Sequence, residues 1–360
     1  MSYSIPELEK ALSTVIDPDF NQDIVSLKMV EDMEVKGGVF SFTFVLTTPA
    51  CPLQDQFTND VEAAVATVYP DLKVNINFTS RVTTVRDTNQ AELANIKNIV
   101  LVSSGKGGVG KSTVATNLAV GLAQKGAKVG ILDADIHGPS TPTMFGVEDE
   151  KPGMVQEGEK YKMIPVEKYG VSIISMGMLV DKNQPVVFRG PMQASALRQL
   201  LMDVNWGELD YLFIDLPPGT GDIHLSLAQQ FPVTGALIVT TPQQVSVADT
   251  RKSIEMYLNP QTPVSLLGIV ENMSWFTPEE HPEEKYFLFG EGGGNILANE
   301  YNLPLISQIP LIVGVDRRSD NGIPAILNRL PIMSDPFKEM VEKVAQRIAI
   351  VNAKAVNQTT

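Results

Sequence analysis

The sequence predicts an α/β protein, with a parallel sheet covered by helices on both faces and a small α+β domain ahead of it. Three observations predict this. Short apolar runs alternate with helical stretches from about residue 98 onward, which is the pattern of strands buried on both faces. The residue pattern changes between about residues 80 and 97. A glycine-rich G-x-x-x-x-G-K-S loop lies between a predicted strand and a predicted helix.

In the first part, Ser4 to Ile16 reads as a helix, with Ile5, Leu8, Leu12 and Val15 on one face and Asp17-Pro18 stopping it. Gly38 to Thr47 alternates as a strand does, and Met33-Glu34-Val35 before Gly37-Gly38 predicts a hairpin. Thr48 to Pro52 is a loop, Leu53 to Val68 a second amphipathic helix, and Lys73 to Phe78 a short strand. Ser80 to Ala94 is polar and unperiodic, a linker. In the second part, apolar runs mark strands at Asn98 to Ser103, Val129 to Asp133 and Val171 to Ser175. Three more lie at Tyr211 to Asp215, Ala236 to Thr240 and Leu266 to Val270. The expected division is a small domain over 1–82, a linker over 83–97 and a large domain over 98–360.

Composition narrows the function. The chain is 43% hydrophobic and 19% charged, enough apolar content to bury a core, so wholesale disorder is excluded. Its 28 basic against 42 acidic residues give a net charge of −14, which argues against any general grip on nucleic acid. One cysteine, Cys51, excludes an internal disulfide framework and a Cys₄ metal site within one chain. The first residues lack a basic then apolar leader, and no run approaches the roughly 18 apolar residues a membrane span needs. A cytoplasmic protein with no membrane role is expected.

Gly105, Lys106, Gly107, Gly108, Val109, Gly110, Lys111 and Ser112 form the glycine-rich motif, and Lys111 to Gln124 is the helix that follows. Glycines let the backbone wrap phosphates, and the helix N-terminus adds oriented dipoles. Lys111 would reach the β- and γ-phosphates and the Ser112 hydroxyl would ligate Mg²⁺. The expected fold is thus a parallel-sheet P-loop NTPase domain preceded by the small α+β domain. Two apolar strands end in acids: Asp133 and Asp135 in one, Asp215 in the other. Asp215 fits a Mg²⁺-holding role, with Gly219 to Asp222 after it as a γ-phosphate switch. Asp135 is the candidate to position the attacking water, ahead of Asp133, which could equally be a capping acid. His137 and His224 lie near these segments as polar switch-loop residues, without the paired spacing of metal ligands.

Lys106 at the head of the loop resembles the deviant Walker A group, which includes MinD, ParA and the nitrogenase iron protein. That resemblance implies a nucleotide-sandwich homodimer in which Lys106 reaches the partner's phosphates. The segments GKGGVGKSTVATNLA, LDADIHGPSTPTMFG, FRGPM, DLPPGTGD and GIVENMSWF together resemble the Mrp/ApbC family of P-loop ATPases that carry iron–sulfur clusters. Asp17-Pro18-Asp19, Asp23 to Leu27 and TTPACP resemble the small domain fused to many of these proteins. The resemblance implies ATP hydrolysis with Mg²⁺, Asn272 as the adenine-reading amide, and a cluster shared across the dimer. Iron–sulfur scaffolds or apo-client proteins would be its partners. One departure stands out. The family carries a Cys-x-x-Cys pair soon after ENMS, whereas Trp275 to Glu284 here contain no cysteine, and Glu279 to Glu284 read as an exposed acidic loop. That leaves Cys51 as the one thiol able to ligate iron, set between Pro49 and Pro52 ahead of a helix whose N-terminal field favours a thiolate; an inert half-buried cysteine is the other reading. The alternative function is a MinD/ParA-like scaffold or positioning ATPase that binds no cluster. Phe337 to Val351, amphipathic but of mixed charge, reads as a docked structural helix rather than a membrane anchor.

Overall fold

The structure is a computed structural model, and it describes residues 3–84, 90–135, 138–179, 190–260, 264–278, 281, 283–312 and 321–359. The chain divides into two compact units, one of 1–83 with 345–360 and one of 84–344. Residues 345–360, expected with the large domain, group with the first unit.

The first unit opens with α1 (Ile5–Leu12), β1 (Ile16–Asp17) and β2 (Gln22–Asp23). It continues with β3 (Val30–Lys36), β4 (Val39–Leu46), α2 (Gln54–Val68) and β5 (Lys73–Ser80). Helix α1 is shorter than its apolar periodicity predicts. The Ser13 and Thr14 hydroxyls donate to the Glu9 and Ala11 carbonyls at 3.0 and 2.7 Å, taking up acceptors at the helix end. β3 and β4 form the expected hairpin, turned by Gly37 and Gly38 at φ +59° and +78°. β5 lies parallel to β4, with α2 as the crossover. Phe40, Phe42 and Phe44 alternate onto one face of β4 and are fully buried with Leu8, Leu12 and Phe57. Within this unit Gln346 Nε2 donates to both carboxylate oxygens of Asp19 at 2.9 and 2.8 Å.

The second unit holds β6 (Ile96–Ser103), α3 (Lys111–Gln124), β7 (Val129–Asp133), α4 (Thr141–Phe145), β8 (Gly153–Glu157) and β9 (Lys160–Ile164). β10 (Val166–Lys168), β11 (Val171–Ser175), α5 (Gly190–Met202), β12 (Leu209–Asp215), α6 (Asp222–Gln230) and β13 (Gly235–Thr240) follow. The last elements are α7 (Gln244–Leu258), β14 (Leu266–Thr277), α8 (Gly293–Tyr301), β15 (Leu305–Ile312) and α9 (Pro331–Thr359), of which 345–359 belong to the first unit. Eight strands form one sheet in the order β10-β11-β7-β12-β6-β13-β14-β15. All pairs are parallel except β10 with β11. Every described residue of β7 and β13 is buried, as a sheet covered on both faces requires. Register sets the site: Ser175 lies opposite Asp133, and Asp133 opposite Asp215, so three polar residues line the carboxyl edge beside the loop that leaves β6. Among the described residues no helix is long and apolar enough to cross a membrane.

Candidate nucleotide site

The loop from Gly105 to Ser112 joins β6 to α3 at the centre of the sheet. Its backbone is held on two sides. A Cβ at Gly105 would lie 2.3 Å from the Asp249 carbonyl carbon and 2.5 Å from the Thr250 nitrogen, so the loop begins in direct backbone contact with α7. At the other end Gly110 has φ +79°, and a Cβ there would lie 2.1 Å from Asn272 Nδ2. That nitrogen donates to the Val109 carbonyl at 2.9 Å, tying β14 to the loop.

A cleft of about 230 Å³ opens over the loop, lined by Lys106, Gly108, Lys111, Ser112, Asp135 and Pro218 among others. Lys106 is exposed at its rim. Lys111 is 6% exposed and pairs with Asp215, which is fully buried; Lys111 Nζ also reaches Ser112 Oγ at 3.5 Å. A buried ammonium in a dry site needs such a partner, because desolvation alone would cost several kcal/mol, on the order of that for any buried ion. The second Asp215 oxygen, Oδ2, is buried without a hydrogen-bond partner among the described residues. With Ser112 Oγ it provides the hard oxygen donors that Mg²⁺ takes, so the residues present fit that ion.

Asp133 is the more connected of the two strand-end acids. Its Oδ1 accepts from the Asp135 amide at 3.1 Å, and its Oδ2 accepts from the Thr141 amide at 3.2 Å and the Ser175 hydroxyl at 3.1 Å. It therefore braces the start of α4 and the end of β11. Asp135 itself is half-buried and accepts from the Gly138 amide at 3.2 Å.

Residues 95–349 match the model of the NUBPL iron-transfer P-loop NTPase family, and residues 6–78 match that of an iron–sulfur cluster assembly protein. The chain belongs to the NUBPL iron-transfer P-loop NTPase family. It is 46% identical over 319 residues to an iron–sulfur cluster carrier protein of Synechocystis, covering 88% of this chain and 90% of that one. A carrier protein of Deinococcus radiodurans is 49% identical over 320 residues, covering 89% and 88%. Among solved structures, a nucleotide-binding protein of Archaeoglobus fulgidus in complex with ADP is 43% identical with a TM-score of 0.55. That match covers 64% of this chain and 88% of the other.

The remaining expected residues of this P-loop NTPase fall in several places. Cys51 lies in the first unit, in the loop after β4, half-buried against that unit's core three residues ahead of α2. His137 and Phe188-Arg189 of FRGPM lie outside the described residues. His224 is not a switch-loop residue; it is in the first turn of α6 and 1% exposed. After ENMS, Phe276 bridges Tyr286 and Lys285 covers the Trp275 ring at 3.9 Å. His281, Glu283 and Glu284 cluster there in solvent. Glu271 was not singled out in the sequence. Its carboxylate accepts from the Gly294 amide and, at 2.7 Å, from Gln308 Nε2, which fixes ENMS to α8 and β15. Only the partners, distant in sequence, reveal that role.

Two buried groups give opposite pH dependences. Burial first, and then the Asp215 charge, push the Asp133 carboxyl up to about 7. Burial pushes the His224 imidazole down to about 4. A raised carboxyl contributes stability that is full below its ordinary 3.8 and lost as pH rises to about 7. A lowered imidazole contributes stability that is full above its ordinary 6.5 and lost as pH falls to about 4. Between those limits the slopes oppose one another. In urea titrations across that window, Asp133→Asn is expected to make stability climb more steeply with pH, and His224→Leu to make it fall. Shifts of the same sign in both variants would refute the assignment.

Proposed function

We propose that this chain is an ATP-hydrolysing iron–sulfur cluster carrier or assembly factor, working as a nucleotide-switched homodimer in the cytoplasm. The observation that carries the nucleotide half is the cleft over Gly105 to Ser112, with Lys111 and Asp215 buried at its base. The iron–sulfur half is supported by the two family matches in one chain and by the names of its relatives. Glycine amides and Lys111 hold the phosphates, and Lys111 leaves Asp215 to do so. Ser112 and Asp215 would hold Mg²⁺, which would supply charge neutralisation for the phosphate chain. Asp135 accepts a proton from the water that attacks the γ-phosphorus as ADP leaves. Lys106 adds charge across the dimer. Asn272 keeps Oδ1 for the adenine edge while Nδ2 holds Val109. Turnover is slow until a scaffold or apo-client protein binds. Nucleic acid and membranes are not among the partners.

Cys51 is the one thiol for iron in the chain, so two copies in a dimer would supply two ligands to a shared cluster. Anaerobic reconstitution with iron and sulfide tests this, comparing the unmodified chain with Cys51→Ser. Iron bound per dimer in the first and lost in the second is the expected result. If neither retains iron while ATP is still hydrolysed, the reading as a scaffold or positioning ATPase replaces it. The missing cysteine pair after ENMS is the observation that favours that second reading.

A further inference from the structure

Glu271 is 1% exposed, and burying a carboxylate is costly unless its oxygens are hydrogen-bonded. Each oxygen takes one amide. Oε2 accepts from the Gly294 N–H, and Oε1 accepts from Gln308 Nε2, which stands opposite in the β14–β15 register. Helix α8 is fitted to this acid. A Cβ at Gly294 would lie 2.9 Å from Glu271 Cβ, and one at Gly293 would lie 2.7 Å from the Pro242 carbonyl oxygen. The glycines after Phe289 thus let the positive N-terminal end of α8 close on the carboxylate. Packing alone would be served by an apolar residue, which needs no partners.

The residues that follow give the acid its purpose. The register of β14 with β15 shifts between Asn272 and Phe276, and Met273 has φ +56°. The Ser274 hydroxyl donates to the Glu271 carbonyl at 2.9 Å, closing the bulge on itself. A bulky residue at positive φ is strained and persists only where its neighbours hold it. Bulges of this kind re-aim side chains beside functional sites. Here they are aimed at the phosphate loop. Asn272 Nδ2 holds the Val109 carbonyl, and Met273 Cε lies 3.7 Å from where a Gly110 Cβ would stand. Glu271 and Asn272 are successive residues of β14, so one side chain takes α8 and the other takes the loop.

We propose that Glu271 is a positioning residue for base recognition. It anchors the strained bulge, and the bulge fixes the Asn272 amide with Nδ2 on Val109 and Oδ1 left for the base. This rests on the reading of Asn272 as the adenine-reading amide. The fixed orientation is what discriminates. Adenine offers an amino donor at N6, whereas guanine carries the acceptor O6 there, which a fixed amide oxygen repels. Once the bulge loosens, the amide is free to turn and offer Nδ2 to guanine instead. Loss of Glu271 therefore shows in the choice between bases.

The test compares the full chain with Glu271→Ala, Glu271→Gln and Asn272→Ala. Calorimetric titration with non-hydrolysable ATP and GTP analogues plus Mg²⁺ gives the ratio of their Kd values, and thermal midpoints are taken alongside. The unmodified chain is expected to prefer the ATP analogue, and Asn272→Ala and Glu271→Ala each to cut that preference about tenfold. Glu271→Gln keeps an acceptor for Gly294, and the Gln308 amide can turn to meet it, so most of the preference returns. If Glu271→Ala weakens both analogues equally, its role is merely structural and the proposal is overturned. Equal losses of preference in Glu271→Ala and Glu271→Gln would overturn it too. Should Glu271→Ala fail to fold, Gln308→Ala removes one of the two partners. It is expected to cut the preference about threefold, and an unchanged ratio there refutes the anchor. If Asn272→Ala itself leaves the preference intact, the adenine reading fails, and the role of Glu271 with it.

Discussion

Lys111→Met is expected to lower ATP turnover by about two to three orders of magnitude, the usual loss when one preorganised donor to a developing phosphate charge is removed. It should also lower stability, which a purely functional lysine would not do. Asp215 is fully buried, and its partner is this ammonium. Removing the lysine leaves a carboxylate unpaired beside Asp133, at a cost of about 3–5 kcal/mol. The double variant Lys111→Met, Asp215→Leu should recover most of that stability while remaining inactive, since a well-packed apolar pair replaces a buried ion pair at little cost. Urea denaturation of the three proteins, with phosphate release measured in parallel, separates the two effects. A single variant as stable as the unmodified chain would mean that the pair does not hold a buried charge.

Gly105→Ala should be nearly as damaging, for a reason that involves no charge. The new methyl would stand 2.3 Å from the Asp249 carbonyl carbon, in the backbone of α7, which cannot rotate aside as a side chain can. Either the loop or the helix must shift. Overpacking of this kind costs about 1–3 kcal/mol, and displacing phosphate-binding amides by an ångström costs on the order of 10²-fold in rate. Gly107→Ala is the control, because its Cβ would meet Pro218 at an ordinary 3.6 Å and it has no left-handed φ. Fluorescent nucleotide titration of both variants provides the measurement. Equal affinities would show that the contact with α7 yields easily.

The phosphate loop and the buried parallel strands were legible because their signals are local. Leu209 to Asp215 and Gly235 to Thr240 are apolar runs whose position follows from burial on both faces. The β8–β9 hairpin was not legible, since Lys160, Tyr161 and Lys162 stand in a pair of strands with no buried residue, and so in no run of apolar positions like those of the central sheet. β15 was hidden by Ser307, Gln308 and Pro310. It is one of the two edge strands, where proline is tolerated, and its Gln308 side chain bonds Glu271. In the site, residue types pointed to the cleft, but pairings across distant sequence did not show. The Lys111–Asp215 contact spans 104 positions and the Asn272–Val109 contact 163. Asp133 ranked below Asp135 because a lone acid at a strand end has no visible partners. Thr141 and Ser175 become its partners only once β7 and β11 lie side by side. His224 was misplaced for the same reason, as its burial depends on how α6 packs.

The grouping of residues 345–360 with 1–83 reverses the order in which the two units can be finished during synthesis. A nascent chain normally completes its N-terminal domain first. Here the segment containing Cys51 and the three-phenylalanine strand emerges early, then waits for roughly 260 more residues before Gln346 can meet Asp19. At about 5–20 residues per second, that wait is on the order of tens of seconds. The NTPase unit is complete before the unit that bears the thiol. Until then the N-terminal unit, Cys51 included, stays unfinished while the nucleotide-binding unit is nearly complete, and it can close only once the residues from 345 onward have emerged.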